Sequence, residues 1–381
     1  MLFLASNSNR SRVMKRDILS IQTDIGMVFP HLKSETVVKI KVRKILRPIL
    51  FLFVLCGIDT RGPNKKWVRV LSSTYNIVFL ALFSEKLYCF TLNSRHWAPL
   101  LTLFVYMIYL IMWWYIQLRM KDISALANAL NSLISEIDYS TYKRLLKVSN
   151  VMRLSVIFLV CFDAVLRSMQ EVIFKRKYNI CPYKCLYSDM GNNVIIPIVL
   201  SRLGYTYVTS AIAYSFAAYY IFYLFMFSVS LRERQRSKIA LWELYRNILN
   251  IFKRIEGTLS FLVTLLFLHI FNTFFKTMLL IVYGGNSLNF NSQYIHCYDL
   301  VTNIALVLTV LFSAECVQQK ADNLRVSLFA SATELNEQVK ILEDRKRLKL
   351  TGWGIFNLRK SLLLSIGAWF FTYTAILIQM Q

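Results

Sequence analysis

The chain is 381 residues long, with 56% hydrophobic and only 17% charged residues, yet it carries 45 Lys and Arg against 21 Asp and Glu. A nucleic-acid binder draws its positive charge from a polar surface, and a disordered chain holds far fewer apolar side chains, so this composition excludes both. It fits an all-α, polytopic membrane protein whose apolar residues lie in spans and whose basic residues sit in loops on one side.

The first twelve residues turn polar and basic after a few apolar ones, the wrong order for a cleaved export signal. The first apolar run, Leu46 to Ile58, is interrupted by Pro48 and at about 13 residues is too short to span a bilayer. It reads as an interfacial helix whose FLFVL stretch lies in the acyl boundary, with Lys39, Lys41, Arg43, Lys44 and Arg47 on an anionic leaflet. Seven runs of spanning length follow, at roughly 68–90, 97–118, 150–171, 203–229, 259–283, 299–317 and 362–380. Trp67 and Trp97 stand at span ends, as interfacial aromatics do. After the sixth run, Ser331 to Glu334 has capping-box spacing and Leu335, Val339 and Leu342 share one face, which predicts a cytoplasmic helix to about Leu350. Thr351-Gly352-Trp353-Gly354 ends it, and the last helix follows. The chain thus divides into a cytoplasmic segment with an interfacial helix (1–67), six spans (68–317), a cytoplasmic anchor segment (318–357) and a seventh helix (358–381).

Charge sets the orientation. Lys and Arg number thirteen in 1–67, five in 119–149, seven in 231–254 and nine in 318–360, whereas the alternate loops hold only Arg95, Lys175, Arg176, Lys177 and Lys184. Cationic loops stay inside, so a cytoplasmic N-terminus and an extracellular C-terminus are expected.

At the chain end, Thr372, Ile376 and Gln379, with neighbours Tyr373 and Met380, follow helical i, i+3/i+4 spacing and form one stripe. A carboxamide such as Gln379 is costly in lipid unless it faces water, headgroups or a partner. Thr372-Tyr373, five mostly aliphatic residues and then Gln379 resemble the TYhhhhhQ signature of the last helix of insect gustatory receptors. Gly354-x-Phe356-Asn357-Leu358 is similar to the Gly/Phe turn that precedes that helix in the family.

The resemblance implies a seven-span, tetrameric, ligand-gated cation channel in the plasma membrane of sensory neuron dendrites. Each subunit of a homo- or hetero-tetramer with related receptors would give its last helix to a central pore. On that template Gln379 lines the pore near its outer constriction, Ile376 and Met380 fall at gate positions, and Thr372 and Tyr373 support or line the inner part. Four converging apolar side chains make a dewetting gate, and with no Asp or Glu between Lys360 and Gln381, poor discrimination among cations is expected. The sweet-sensing branch carries an acidic residue where this chain has Thr374, so a bitter or undefined tastant is expected rather than a sugar. The family also places its ligand pocket in the outer half of the bundle, the depth of Tyr205, Tyr207 and Tyr214.

Asp163, Arg167 and Glu171 lie at i, i+4 and i+8 of the third span, where they serve either as a self-neutralising ladder or as a polar contact in that pocket. Tyr219, Tyr220 and Tyr223 read as core with satisfied hydroxyls. Cys181, Cys185 and Cys297 fall in predicted external loops, where an inter-loop disulfide stays open and zinc lacks a fourth firm ligand. No nucleophile-base pairing, phosphate loop or His cluster is visible, so no enzyme activity, cofactor or metal is expected. The expected partners are a small organic tastant, membrane lipid and related subunits, with no nucleic acid. A G-protein-coupled receptor would need the opposite orientation, and a transporter would need two related halves with broken spans. A tag placed after Gln381 should be stained on unpermeabilised cells; staining only after permeabilisation would reverse the orientation.

Overall fold

A computed structural model describes residues 42–58, 60, 66–92, 97–134, 139–178, 195–236, 241–284, 290–331 and 348–379. Among them run eight helices: α1 (Val42–Leu55), α2 (Lys66–Leu92), α3 (Trp97–Ile134), α4 (Tyr139–Tyr178), α5 (Ile195–Arg236), α6 (Leu241–Gly284), α7 (Phe290–Ser331) and α8 (Ser361–Gln379). A small antiparallel hairpin, β1 (Thr351–Gly352) and β2 (Phe356–Asn357), precedes α8. The seven predicted spans fall on α2 to α8, with Met380 beyond the described residues. Five of these helices, α3 to α7, are long and apolar enough to cross a membrane, while α2 and α8 carry shorter apolar stretches, Arg69–Ser84 and Ser361–Ile376.

Hydrocarbon offers the backbone no hydrogen-bond partner, so apolar spans close their bonds within a helix. The helices α3 to α7 run on for 38 to 44 residues. At 1.5 Å per residue that is roughly 57–66 Å, about twice the hydrocarbon thickness, so each helix also builds a stem outside the bilayer. The stems are held by narrow apolar stripes: Leu244, Ile248, Ile251 and Ile255 on α6, and Val317, Ala321, Leu324 and Leu328 on α7, are all buried at i, i+3/i+4 spacing. The boundary expected at residue 318 therefore falls inside a continuous α7, which Ser331 closes, and the helix predicted beyond it lies outside the described residues apart from its last positions.

The centre of the bundle is α5, which packs against α1, α2, α3, α4, α6 and α7. Its membrane-length stretch is 78% buried, against 22% for α4.

The structure corrects the interfacial reading of the first apolar run. Helix α1 is wedged into the bundle against α3, α4 and α5, with Ile45, Leu46, Ile49, Phe53 and Val54 buried and Phe51 the exposed member of FLFVL. Polar groups of the surrounding helices satisfy its ends. Asn131 Oδ1 accepts from the Val42 amide at 2.8 Å, Ser149 Oγ donates to the Ile45 carbonyl at 2.8 Å, and Trp113 Nε1 donates to the Cys56 carbonyl at 2.9 Å. The chain then turns at Gly57, whose φ is +73° and where a Cβ would meet the Tyr75 Cβ at 2.8 Å, so only glycine fits.

The hairpin clasps the start of α8 to the bundle. Its turn passes through Trp353 and Gly354 at positive φ, and a Cβ on Gly352 would fall 2.3 Å from Phe356 Cζ. Glu256 of α6 accepts from the Thr351 amide at 3.0 Å and from its hydroxyl. Gln318 of α7 accepts from the Leu350 amide at 3.2 Å and donates to the Leu358 carbonyl at 2.8 Å, and Glu315 accepts from the Lys360 amide at 2.9 Å. Two helices of the bundle thus fix where α8 begins.

Candidate functional site

The half of the bundle that holds the C-terminal part of α4 and the N-terminal part of α7 contains a charged cluster. Arg167 on α4 donates from Nε to Asp163 Oδ1 at 2.8 Å and from Nη2 to Asp299 Oδ1 on α7 at 2.5 Å. Ser210 on α5 donates to the second oxygen of Asp163 at 2.5 Å. Lys276 on α6 adds a second positive charge within electrostatic reach of Asp299. Ion pairing through Arg167 lets these charges sit between membrane-length helices. The sequence ladder holds for Asp163 and Arg167. Their further partner is Asp299, and the side chain of Glu171 lies outside the described residues.

Next to this cluster are polar atoms with no protein partner among the described residues. His269 Nε2 on α6 shares a hydrogen bond of 3.1 Å with the Tyr109 hydroxyl on α3, but its buried Nδ1 has no partner. Asn272 Nδ2 on α6, Thr206 Oγ1 on α5 and the Tyr298 hydroxyl on α7 are likewise buried and unpartnered. The electrostatic influence of Asp163 or Arg167 reaches Tyr109, Tyr214, His269 and Tyr298, placing all four in one neighbourhood. Buried groups without partners carry a desolvation cost of about 1–3 kcal/mol each, which a ligand able to hydrogen-bond there would relieve. Aromatic rings supply the apolar walls, with Phe162 edge-on to Tyr298 at 5.5 Å and Tyr109 against His269 at 4.8 Å.

Of the residues expected at this site, Asp163 is buried in the cluster, Tyr207 and Tyr214 are half-buried on the same stretch of α5, and the Tyr205 side chain lies outside the described residues. Tyr219 and Tyr223 donate to the carbonyls of Ile123 and Leu126, both at 3.1 Å, as satisfied core tyrosines. Sequence reasoning missed Tyr109, His269, Asn272, Ser210 and Asp299. An imidazole and a carboxamide three residues apart inside an apolar span were the available signal.

The second region is α8. Leu363, Ile366, Phe370 and Tyr373 turn toward the bundle, where Phe370 meets Phe274 edge-on at 5.8 Å and Tyr373 meets Phe275 at 4.9 Å. Trp369 packs on Phe271 at 5.6 Å and stacks on Tyr373 at 5.6 Å. The opposite face is bare: Leu364 and Phe371 are about four-fifths exposed, and Thr372, Ile376 and Gln379 are exposed as well. The expected stripe thus separates, with Tyr373 facing α6 and residues 372, 376 and 379 facing away from it.

Helix lengths, apolarity and internal pairing define a multi-pass helical membrane protein. The chain is similar to the solved structure of the insect olfactory receptor OR5 from Machilis hrabei, with a TM-score of 0.65 and 14% identity over 89% of this chain and 99% of that one. The same receptor in complex with eugenol gives the same values. No family model matches the sequence, and no curated protein matches it. What the chain shares with OR5 at this identity is its fold, that of an insect olfactory receptor.

Replacing Arg167 with Ala should remove the guanidinium that bridges Asp163 and Asp299 and cost roughly 3–5 kcal/mol. The thermal midpoint of the purified protein is expected to fall sharply, with Arg167→Lys intermediate because an ammonium lacks the fork that reaches both acids. An unchanged midpoint in Arg167→Ala would show that the cluster does not hold the bundle.

Proposed function

We propose that the chain is a gustatory-type chemoreceptor subunit, a ligand-gated, non-selective cation channel opened by a small organic tastant, bitter or undefined rather than a sugar. In this reading it assembles as a homo- or hetero-tetramer around α8 in the plasma membrane of sensory dendrites, with its N-terminus in the cytosol and its C-terminus outside. Insect olfactory receptor structures of the same fold support a chemoreceptor channel, and the eugenol complex of OR5 supports a small aromatic ligand.

The observation that carries the reading is the division of labour on two turns of α6. At 100° per residue, His269 and Asn272 point to one side of the helix, while Phe271, Phe274 and Phe275 point to the other. The first pair holds polar atoms with no partner among the described residues, and the second group is the surface on which α8 rests. A ligand that bonds His269 Nδ1 or Asn272 Nδ2 in the open arrangement better than in the closed one shifts α6, and α8 moves with it. The hairpin clasp fixes the other end of α8, so this motion is felt where Ile376 and Gln379 stand, and Met380 is assigned beside them as a gate residue. Thr372 keeps its hydroxyl on the Ala368 carbonyl at 2.9 Å, which leaves its methyl on the exposed face.

Expressed channels recorded against a panel of small organic compounds test the assignment. Ile376→Ala removes apolar contact from every subunit of the closed gate and should raise ligand-independent current by at least about tenfold. Gln379→Ala should change the permeability ratios among monovalent cations while leaving ligand potency close to wild type. Wild-type currents in both variants would remove the pore from α8.

A further inference from the structure

We infer that a cleft at the mouth of α1 is a binding site for a single anionic phospholipid. The cleft has a volume of about 430 Å³ and is lined at one end by Arg43, Lys44 and Arg47, at the other by Leu50, Phe51 and Val54, with Thr60 on its side. Apart from Thr60 these residues lie on one side of α1, since 43, 47, 50, 51 and 54 follow at i, i+4, i+7, i+8 and i+11. The surface grades from cationic to apolar over about 16 Å, at 1.5 Å per residue. That is the order of groups in a phospholipid, a phosphate head followed by an acyl chain.

The charge balance points the same way. Among the described residues, the acids near other cations are paired with them, as in Arg119 with Asp122, Arg325 with Asp322 and Lys360 with Glu315. No carboxylate pairs with Arg43, Lys44 or Arg47 among the described residues, and the hydrogen bond seen in the cleft is from Arg43 to the Thr60 carbonyl at 3.2 Å. Like charges at i, i+3 and i, i+4 repel one another on a helix, and a phosphate between them turns that repulsion into attraction. Depth agrees as well. The amide of Val42 bonds to Asn131 near the end of α3, while the Cys56 carbonyl bonds to Trp113 nearer its middle, so the cationic end of the surface faces the stem and the apolar end faces the membrane-length stretch. Phe51, 38% exposed, remains accessible along the path an acyl chain would take.

The inference rests on the orientation proposed above, which puts this end at the anionic cytoplasmic leaflet, and is independent of the channel reading because its readout is binding. The purified chain is reconstituted in nanodiscs of phosphatidylcholine with or without phosphatidylserine, extracted, and its retained lipid counted by native mass spectrometry. Phosphatidylserine should be retained in preference to phosphatidylcholine, and the Lys44→Gln/Arg47→Gln double variant should weaken that retention roughly thirtyfold. Lys44→Arg/Arg47→Lys should keep it, and Phe51→Ser should weaken it severalfold with the headgroup contacts intact. Water-soluble glycerophosphoserine should fail to displace the lipid. Equal retention of both lipids by the unmodified chain, unchanged retention in the neutralised variant, or displacement by glycerophosphoserine would each overturn the assignment, the last in favour of a soluble phosphate ester.

Discussion

A bilayer supplies neither charge nor hydrogen bonds, so every polar group that enters it must bring its partner, and Arg167 is where this constraint is most demanding. Its guanidinium is held between a carboxylate four residues away on α4 and another on α7, with Ser210 of α5 completing the shell of Asp163. Three helices are thereby fixed at one depth and one rotation. The fork of Arg reaches both acids at once, which ties distant segments together as no i, i+4 pair on a single helix could. Beside this ion-paired cluster, His269 Nδ1 and the Tyr298 hydroxyl have no partner among the described residues, and in the proposed reading they are what a guest would bond.

The same constraint explains both ends of the transmission path. Helix α6 carries polar atoms with no partner among the described residues on one side and the phenylalanine face under α8 on the other, and its stem reaches the hairpin through Glu256. Helix α8 is therefore tied just before its start by hydrogen bonds to α6 and α7, and along its length it rests on Leu363, Ile366 and aromatic rings. Hydrogen bonds resist sliding, whereas stacked and edge-on rings tolerate it at a cost of about 1 kcal/mol per pair. In the proposed gating the helix pivots at the hairpin and moves at its far end.

Much of the fold was legible because hydrocarbon thickness imposes a length on apolar runs, and seven such runs became α2 to α8. The helix α1 was misread for a related reason: burial against protein and burial against lipid select the same residues. The groups that satisfy its backbone, Asn131, Ser149 and Trp113, gave no sign of it, because the first two fall between the predicted spans. At the site, Asp163 and Arg167 showed themselves through helical spacing, while Asp299 lies 132 residues from its partner and no local pattern could join them. The glycine-rich stretch after Leu350 was read as a helix breaker. Its role as a hairpin depends on carboxylates and an amide side chain from α6 and α7, which are unrelated to it in sequence.

The proposed gating by direct coupling between α6 and α8 requires no soluble partner protein. Excised patches bearing the expressed chain, washed free of nucleotides and soluble proteins and exposed to compounds that activate intact cells, test this most directly. Cation currents that persist in the washed patch, carried by channels the compound opens, are the predicted result. Silence in every patch, with responses retained in intact cells, would place the signal in a separate protein and contradict the account.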